Sequence, residues 1–122
     1  MPKVLVIDDN ADHRMLVTRV LRARGYEVSV AEDGETGLQR VTEFHPDVIL
    51  LDLGLPDVDG QTLAGIIRRM PGVEHTSIIA VTAWPQETAR KMVEAYGCDA
   101  YISKPIQIAK FADQIAATIG KN

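Results

Sequence analysis

The sequence has a single cysteine, Cys98, so no disulfide can form within the chain. No second cysteine or nearby histidine is present to activate this thiol, and we expect Cys98 to be a small buried hydrophobic residue. The lack of a disulfide framework suits a reducing compartment. We therefore expect a cytoplasmic protein.

The sequence also lacks an excess of basic charge and an apolar run long enough to cross a bilayer. Its 13 Lys and Arg residues are outnumbered by 17 Asp and Glu residues, and the formal net charge is −4. The N-terminal segment MPKVLVIDD turns acidic directly after its apolar stretch, unlike a signal peptide. We expect no membrane insertion and no direct binding to nucleic acid, although this composition is compatible with a local basic patch.

The rest of the composition is that of an ordinary globular protein, with 46% hydrophobic and 25% charged residues. A chain of 122 residues is long enough for one hydrophobic core. It contains no linker, low-complexity segment or repeat. We expect a single domain over residues 1–122.

Apolar strands and amphipathic helices alternate five times along the chain. The predicted strands are 3–7, 26–31, 48–52, 77–82 and 100–103. The helical segments have apolar residues at helical spacing, namely Leu16, Val17, Val20 and Leu21; Leu38, Val41 and Phe44; Leu63, Ile66, Ile67 and Met70; a segment over Gln86–Tyr96; and Ile108, Phe111, Ala112, Ile115 and Ile119. This alternation predicts one three-layer α/β domain, with a parallel sheet covered by helices on both faces.

Polar groups follow four of the five predicted strands. They are Asp8 and Asp9 after the first, Asp52 at the end of the third, Thr82 at the end of the fourth, and Ser103 at the end of the fifth with Lys104 and Pro105 after it. The second strand ends in Ala31 and Glu32, to which we assign no role. Open parallel sheets bind ligands at the carboxyl ends of their strands, so we expect these groups to converge at one edge.

Three carboxylates at one place require positive charge. Lys104 supplies one point charge, and Mg²⁺ suits the remainder because it prefers oxygen ligands and commonly shares its coordination shell with phosphate. Zinc is disfavoured because no histidine or cysteine is expected here. The three histidines are interpreted as surface or helix-end residues: His13, His45 and His75.

This set of groups suits phosphoryl transfer to Asp52. A phosphoryl group on that carboxylate brings charged oxygens, which Mg²⁺, Lys104 and the Thr82 hydroxyl can each contact. Such a transfer requires mostly positioning and charge neutralisation, and a carboxylate can serve as its nucleophile. We therefore expect an aspartyl phosphate at Asp52.

At this point the whole chain resembles a response-regulator receiver domain, the phosphoacceptor module of two-component signalling. The matching residues are Asp8 and Asp9, Asp52 within LLDLGLPDVDG, Thr82 and Ala83, and Lys104 and Pro105. The resemblance implies a flavodoxin-like, doubly wound sheet with strand order 2-1-3-4-5, as in the chemotaxis response regulator. It also implies one receiver domain without an output domain.

The resemblance further implies a role for each residue of the site. Asp52 would be phosphorylated by a histidine kinase or a histidine phosphotransfer protein. Asp9 and Asp52 would coordinate Mg²⁺ directly, Asp8 largely through water, and Gly54 through its backbone carbonyl.

Thr82, Ala83 and Lys104 would hold the phosphoryl oxygens in such a domain. Tyr101 would be the aromatic switch that moves with Thr82, and Pro105 would follow a cis peptide bond. A downstream protein target would bind the face formed by the fourth helix, fifth strand and fifth helix.

Two residues depart from the commoner pattern of the family. Gly54 has no side chain where many members carry one, which should open the path of water to an acyl phosphate. Trp84 places a large ring nearby, which should narrow that path.

Two other functions remain as alternatives. A small Mg²⁺-dependent phosphatase could use Asp52 as nucleophile, but such enzymes usually have a second acid two residues later, where Gly54 stands. A flavodoxin-like cofactor carrier would need a loop rich in Gly, Ser and Thr after the first strand, where this chain has acids.

Overall fold

The computed structural model describes residues 2–119, apart from the side chains of residues 108, 109 and 119. The strands are β1 (Lys3–Ile7), β2 (Glu27–Ala31), β3 (Val48–Asp52), β4 (Ser77–Thr82) and β5 (Ala100–Ser103). The helices are α1 (Ala11–Ala23), α2 (Gly34–Phe44), α3 (Gly60–Arg68), α4 (Gln86–Tyr96) and α5 (Ile108–Ile119). Strands and helices alternate as predicted. The predicted helix-face positions Ile108 and Ile119 lie outside the described side chains.

All neighbouring strands are parallel, and their order in the sheet is β2-β1-β3-β4-β5. The predicted flavodoxin-like α/β fold is confirmed. The register places Ile7 opposite Ala31 on one side and Leu51 on the other, and Thr82 opposite Ser103. Asp8, Asp52, Thr82 and Lys104 therefore leave the sheet at nearly the same level.

Each face of the sheet is covered by its own hydrophobic cluster. Leu5, Ile7, Ile49 and Leu51 pack on the face covered by α2, α3 and α4. The alternate strand residues belong to the other cluster, where Val17 and Leu21 of α1 and Phe111 and Ile115 of α5 cover them: Val4, Val6, Val48 and Leu50. This double burial explains why the strands are apolar at consecutive positions.

The predicted start of β2 and the predicted end of α3 are each wrong by one or two residues. Tyr26 precedes β2, because its amide donates to the carbonyl of Leu21 and closes the turn after α1. Met70 lies beyond the end of α3, although it packs against the same core as the helix. In both cases an apolar residue extends the pattern of an element beyond the bounds of its regular backbone geometry.

The interpretation of Cys98 is confirmed. Its thiol is buried, and this burial raises the pKa to about 11, with a further contribution from the Asp99 carboxylate. Arg68 acts in the opposite direction on the same pKa. Within residues 2–119, no helix has the length and apolar character that crossing a bilayer requires.

Candidate functional site

The carboxyl ends of β1, β3 and β5 meet at a cleft of about 740 Å³. The cleft is lined by most of the predicted site residues, namely Asp8, Asp9, Asp52, Gly54, Ala83, Lys104 and Pro105. Thr82 directly precedes Ala83 and is buried. Parallel strands bring these residues together because their ends share one edge of the sheet.

Three carboxylates form the acidic side of this cleft. One oxygen from each of Asp8, Asp9 and Asp52 lies within 4.8 Å of the others. Asp8 and Asp52 are buried, whereas Asp9 is exposed. An all-oxygen set of this kind suits a hard divalent cation.

Asp52 is held by two hydrogen bonds, and both fall on the same oxygen. Lys104 Nζ donates to Asp52 Oδ1 at 2.9 Å, and the amide of Gly54 donates to it at 3.0 Å. Among the described residues, no fully buried side-chain oxygen lacks a hydrogen-bond partner. Oδ2 takes part in neither of these two bonds and is the oxygen that remains for nucleophilic attack.

The ends of β4 and β5 are joined through Thr82. The amide of Lys104 donates to the Thr82 carbonyl at 2.8 Å, and the peptide bond between Lys104 and Pro105 is cis. The Thr82 hydroxyl accepts a hydrogen bond from the amide of Trp84 at 3.0 Å. A hydroxyl that accepts one bond can still donate its proton to another acceptor.

Asp8 is fixed by its backbone as well as by its side chain. Its amide donates to the Ala31 carbonyl at 3.0 Å, so the end of β2, to which no role was assigned, positions this residue. Its Oδ1 accepts from the amide of Asn10 at 3.0 Å, and its carbonyl accepts from Arg14 Nη1 at 2.8 Å. These contacts leave Asp8 little freedom to rotate.

His13 is the site residue that the sequence interpretation missed. Its Nδ1 contacts Asp8 Oδ2, so the expectation of no histidine at this site is wrong. The side chain of Asn10 accepts from the amide of His13 and caps α1, which places His13 in the first turn beside the strand end. The cap residue directly after the acidic pair was the sequence signal that could have located it.

The loop between β3 and α3, which contains Gly54, is attached to the start of α2. Asp57 accepts hydrogen bonds from the amides of Gly34 at 2.9 Å and Glu35 at 3.1 Å. The first of these bonds is the main reason why the pKa of Asp57 lies below its usual value. A Cβ at Gly34 would stand 2.3 Å from the side chain of Val58, so the absent side chain allows the loop to pack closely.

The structure shows the surroundings of Gly54 and Trp84, the two residues that depart from the commoner family pattern. A Cβ at Gly54 would meet only Asp52 Oδ1, at 3.7 Å, so the cleft is open on this side. Trp84 is half exposed, and its backbone amide is the group that contacts Thr82.

Tyr101 lies on β5, partly buried against the core. It also lines a polar groove of about 370 Å³ with Gln86 of α4, with Ser103 and Gln107, and with two residues of α5: Lys110 and Gln114. The ring therefore lies between the core and the face formed by α4, β5 and α5.

Residues 4–116 match the family model of the response regulator receiver domain. Two similar curated proteins are polar-differentiation response regulators named DivK. The protein from Brucella ovis is 33% identical over 117 residues, covering 96% of this chain and 95% of its own. The protein from Brucella anthropi is 34% identical over 121 residues, covering 98% of each chain.

Solved structures of similar proteins share the whole fold. The chemotaxis response regulator CheY4 of Vibrio cholerae has a TM-score of 0.91 and 26% identity, covering 97% of this chain and 98% of its own. The receiver domain of the sensor histidine kinase PA1611 from Pseudomonas aeruginosa PAO1 has a TM-score of 0.86 and 28% identity, with 98% of both chains covered. That domain was solved with a magnesium ion coordinated in its active-site cleft.

Proposed function

The chain belongs to the family of response regulator receiver domains, and from this premise we propose that Asp52 is its phosphoacceptor. The observation that carries the proposal is the pairing of a buried carboxylate with Lys104 Nζ at 2.9 Å, through Oδ1 and not through Oδ2. The hydrogen bond orients the carboxylate. The ammonium group of Lys104 would be within reach of an oxygen of the arriving phosphoryl group.

Mg²⁺ is the proposed cofactor, held by the acidic side of the cleft. The donor set fits this ion, because three carboxylates offer oxygens within 4.8 Å of one another and the Lys104 ammonium group is paired with Asp52. Asp9 and Asp52 would bind it directly, Asp8 largely through water, and Gly54 through its carbonyl. When bound, Mg²⁺ would neutralise charge on the transferred group.

The proposed reaction is an in-line transfer from a phosphohistidine. An oxygen of Asp52 attacks the phosphorus, and the phosphorus–nitrogen bond breaks with its electron pair returning to the imidazole. Lys104 moves its hydrogen bond from the carboxylate to a phosphoryl oxygen. The hydroxyl of Thr82 donates to another oxygen while still accepting from Trp84, and the backbone at Ala83 borders the same cleft.

The proposed output is a change at the face of α4, β5 and α5. Movement of Thr82 toward the phosphoryl group shifts the end of β4, which is joined by a backbone hydrogen bond to Lys104. Tyr101, on the neighbouring strand, can then move between the core and the polar groove. A partner that binds only one of these positions would sense phosphorylation.

The partners follow from this chemistry. The phosphoryl donor is a histidine kinase or a histidine phosphotransfer protein, and the receiver of the signal is a protein target at the face of α4, β5 and α5. The protein would then act in the cytoplasm, where phosphohistidine donors are replenished from ATP. It would catalyse only its own phosphorylation and dephosphorylation. A phosphatase is not favoured, because Gly54 offers no acid for the leaving group.

Acetyl phosphate provides a direct test of this function. We expect incubation of the protein with acetyl phosphate and Mg²⁺ to add one phosphoryl group, seen as a gain in intact mass. Asp52→Asn should show no gain, whereas Asp47→Asn, an exposed aspartate outside the cleft, should be labelled like the parent protein. Chelation of Mg²⁺ with EDTA should abolish labelling.

The outcomes separate the possible explanations. Labelling of Asp52→Asn would move the phosphoacceptor to another residue. Continuous release of phosphate from many monoesters would instead indicate a phosphatase. Absence of any mass gain, with Mg²⁺ binding demonstrated by Trp84 fluorescence, would contradict the proposal.

A further inference from the structure

A groove outside the acidic cleft is lined by basic and apolar residues. It has a volume of about 830 Å³ and runs between α1 and β2. Four of its lining residues are arginines, namely Arg14, Arg19, Arg22 and Arg40. Within residues 2–119 no acidic side chain lines it, although acidic residues outnumber basic ones in the chain as a whole.

The groove includes the free edge of the sheet. β2 is an outer strand and pairs only with β1 among the described strands. Val28, Ser29 and Val30 all line the groove, although consecutive strand residues point to opposite faces. Because the groove contacts both faces of the sheet and also Arg40 of α2, it must pass around the edge formed by β2.

The backbone groups on this edge are available for pairing. In a parallel strand, the amide and carbonyl of one residue point to the same side. The Glu27 amide donates to Pro2 and the Ala31 carbonyl accepts from Asp8, so these residues face β1. Val28 and Val30, which alternate with them, direct their amides and carbonyls to the open side.

The arginines beside this edge are largely unpaired. Arg19 and Arg22 make no ion pair or side-chain hydrogen bond in the described part of the chain. Arg40 has a 3.5 Å contact with Glu43, which is long for an ion pair. Arg14 donates with one nitrogen to the Asp8 carbonyl and retains its charge.

The same groove exposes apolar side chains. Met15 is 60% exposed and Val30 is 38% exposed. Charges on an edge strand commonly keep it from pairing with another copy. Here the charges have one sign and flank an apolar surface, which makes the edge repel basic strands and accept acidic ones.

We propose that this groove binds an extended acidic segment of a partner protein. The segment adds as a further strand beside β2, pairing with the backbone of Val28 and Val30. Its carboxylates contact Arg19, Arg22 and Arg40, and its apolar side chains pack on Met15.

A second copy of this chain fits the groove poorly. A symmetric dimer through the edge would place the arginines of both copies against each other, and the resulting repulsion disfavours it. Nucleic acid fits poorly as well. Among the described residues, the lining has no aromatic ring for base stacking, and the net charge of −4 repels a polyanion at a distance.

A synthetic peptide can test this proposal. The probe is a fluorescein-labelled peptide of about eight residues in which Glu alternates with Val, a length typical of one strand. Fluorescence anisotropy measures binding, and amide hydrogen exchange by NMR reports on β2. We expect saturable binding that weakens with salt, together with slower exchange at the amides of Val28 and Val30.

Two double variants with equal charge change provide the matched comparison. Arg19→Glu with Arg22→Glu should weaken binding of the peptide roughly tenfold, because two attractive contacts with its carboxylates become repulsive. Arg90→Glu with Lys91→Glu, on exposed positions of α4, should leave binding unchanged. Labelling by acetyl phosphate and circular dichroism should show that both variants are folded.

Two control peptides separate strand addition from charge attraction. A peptide with Lys in place of Glu should not bind. A Glu and Val peptide methylated at alternate backbone nitrogens should lose binding, because it cannot form the backbone hydrogen bonds.

Four outcomes would overturn the proposal. They are equal weakening by both double variants, binding of the methylated peptide at full strength, and displacement of the probe by single-stranded DNA at lower concentration than by unlabelled peptide. The fourth is absence of peptide binding together with self-association of the Arg19→Glu, Arg22→Glu variant, which would assign the arginines to keeping copies apart.

Discussion

Lys104 and Asp52 are linked across the sheet, because Lys104 Nζ donates to Asp52 Oδ1 at 2.9 Å. Lys104 follows β5 and Asp52 ends β3, so the contact spans the end of the strand between them, β4. The carboxylate is almost fully buried, whereas 33% of the lysine side chain is exposed. This pairing stabilises a carboxylate that stands beside two others.

Removal of the lysine charge should destabilise the protein mainly when Mg²⁺ is absent. Breaking a buried ion pair costs roughly 3–5 kcal/mol, and the partial exposure of Lys104 reduces the expected loss for Lys104→Met to about 1–2 kcal/mol. With Mg²⁺ the loss should shrink, because the ion supplies the missing positive charge. Urea unfolding in EDTA and in Mg²⁺ measures both values, with Lys91→Met as the exposed control. An equal loss in both conditions would show that charge is not the cause.

Neutralising Asp9 should have opposite effects on stability and on metal binding. Asp9→Asn relieves repulsion among three carboxylates, and we expect it to stabilise the protein without Mg²⁺ by about 0.5–1 kcal/mol. The same change should weaken Mg²⁺ binding at least tenfold, since a direct oxygen ligand loses its charge. Thermal unfolding with and without Mg²⁺ tests both expectations. Asp12 also lines the cleft but does not belong to the carboxylate cluster. The control variant Asp12→Asn should therefore bind Mg²⁺ like the parent protein.

A side chain at Gly54 should lengthen the life of the aspartyl phosphate. A Cβ there would meet only Asp52 Oδ1, at 3.7 Å, so a side chain can begin at this position without a clash, and that of leucine should cover the approach of water. We expect Gly54→Leu to lose its phosphoryl group several times more slowly than the parent protein. The decay of phosphorylated mass after removal of acetyl phosphate measures the rate. Unchanged decay would mean that water approaches from another side, such as that of Trp84.

Two glycines of α3 should respond in opposite directions to substitution by alanine. A Cβ at Gly60 would stand 2.3 Å from the backbone of Leu53, and overpacking of this kind costs roughly 1–3 kcal/mol. A Cβ at Gly65 would meet only the end of the Arg69 side chain, at 3.9 Å. Gly65→Ala should therefore stabilise the helix by about 0.5–1 kcal/mol. Urea unfolding of both variants is the measurement, and the same sign for both would refute the packing explanation.

Asp57 should make stability depend on pH in the acidic range. Its pKa in the folded protein is lowered from 3.8, chiefly by the hydrogen bond from the Gly34 amide. A lowered folded pKa adds stability that is present above the unfolded value and is lost as pH falls through the folded one. Asp57→Ala should thus lower the urea midpoint at neutral pH, and the difference should shrink as pH falls below 3.8.

Asp59 provides a control for this pH dependence. It lies in the same loop and makes no cap hydrogen bond at α3. Asp59→Ala should show little pH-dependent difference from the parent protein. A constant difference for Asp57→Ala across the whole pH range would mean that its ionisation is irrelevant.

The sequence by itself determined the sheet and the convergence of Asp8, Asp9, Asp52 and Lys104. Consecutive apolar residues required strands buried on both faces, and parallel strands bring their carboxyl ends together. These conclusions depend on periodicity and connection length, which are local properties of the chain. The resemblance to the receiver family added the strand order.

Only the tertiary structure decided which side chains touch beyond that pattern. The contact of His13 with Asp8 depends on how α1 leaves the strand, and the attachment of Asp57 to α2 joins segments more than twenty residues apart. The arginine groove combines residues of α1 and α2 beside the open edge of β2. A net charge of −4 conceals that patch, because the sum over a chain carries no information about which charges become neighbours when it folds.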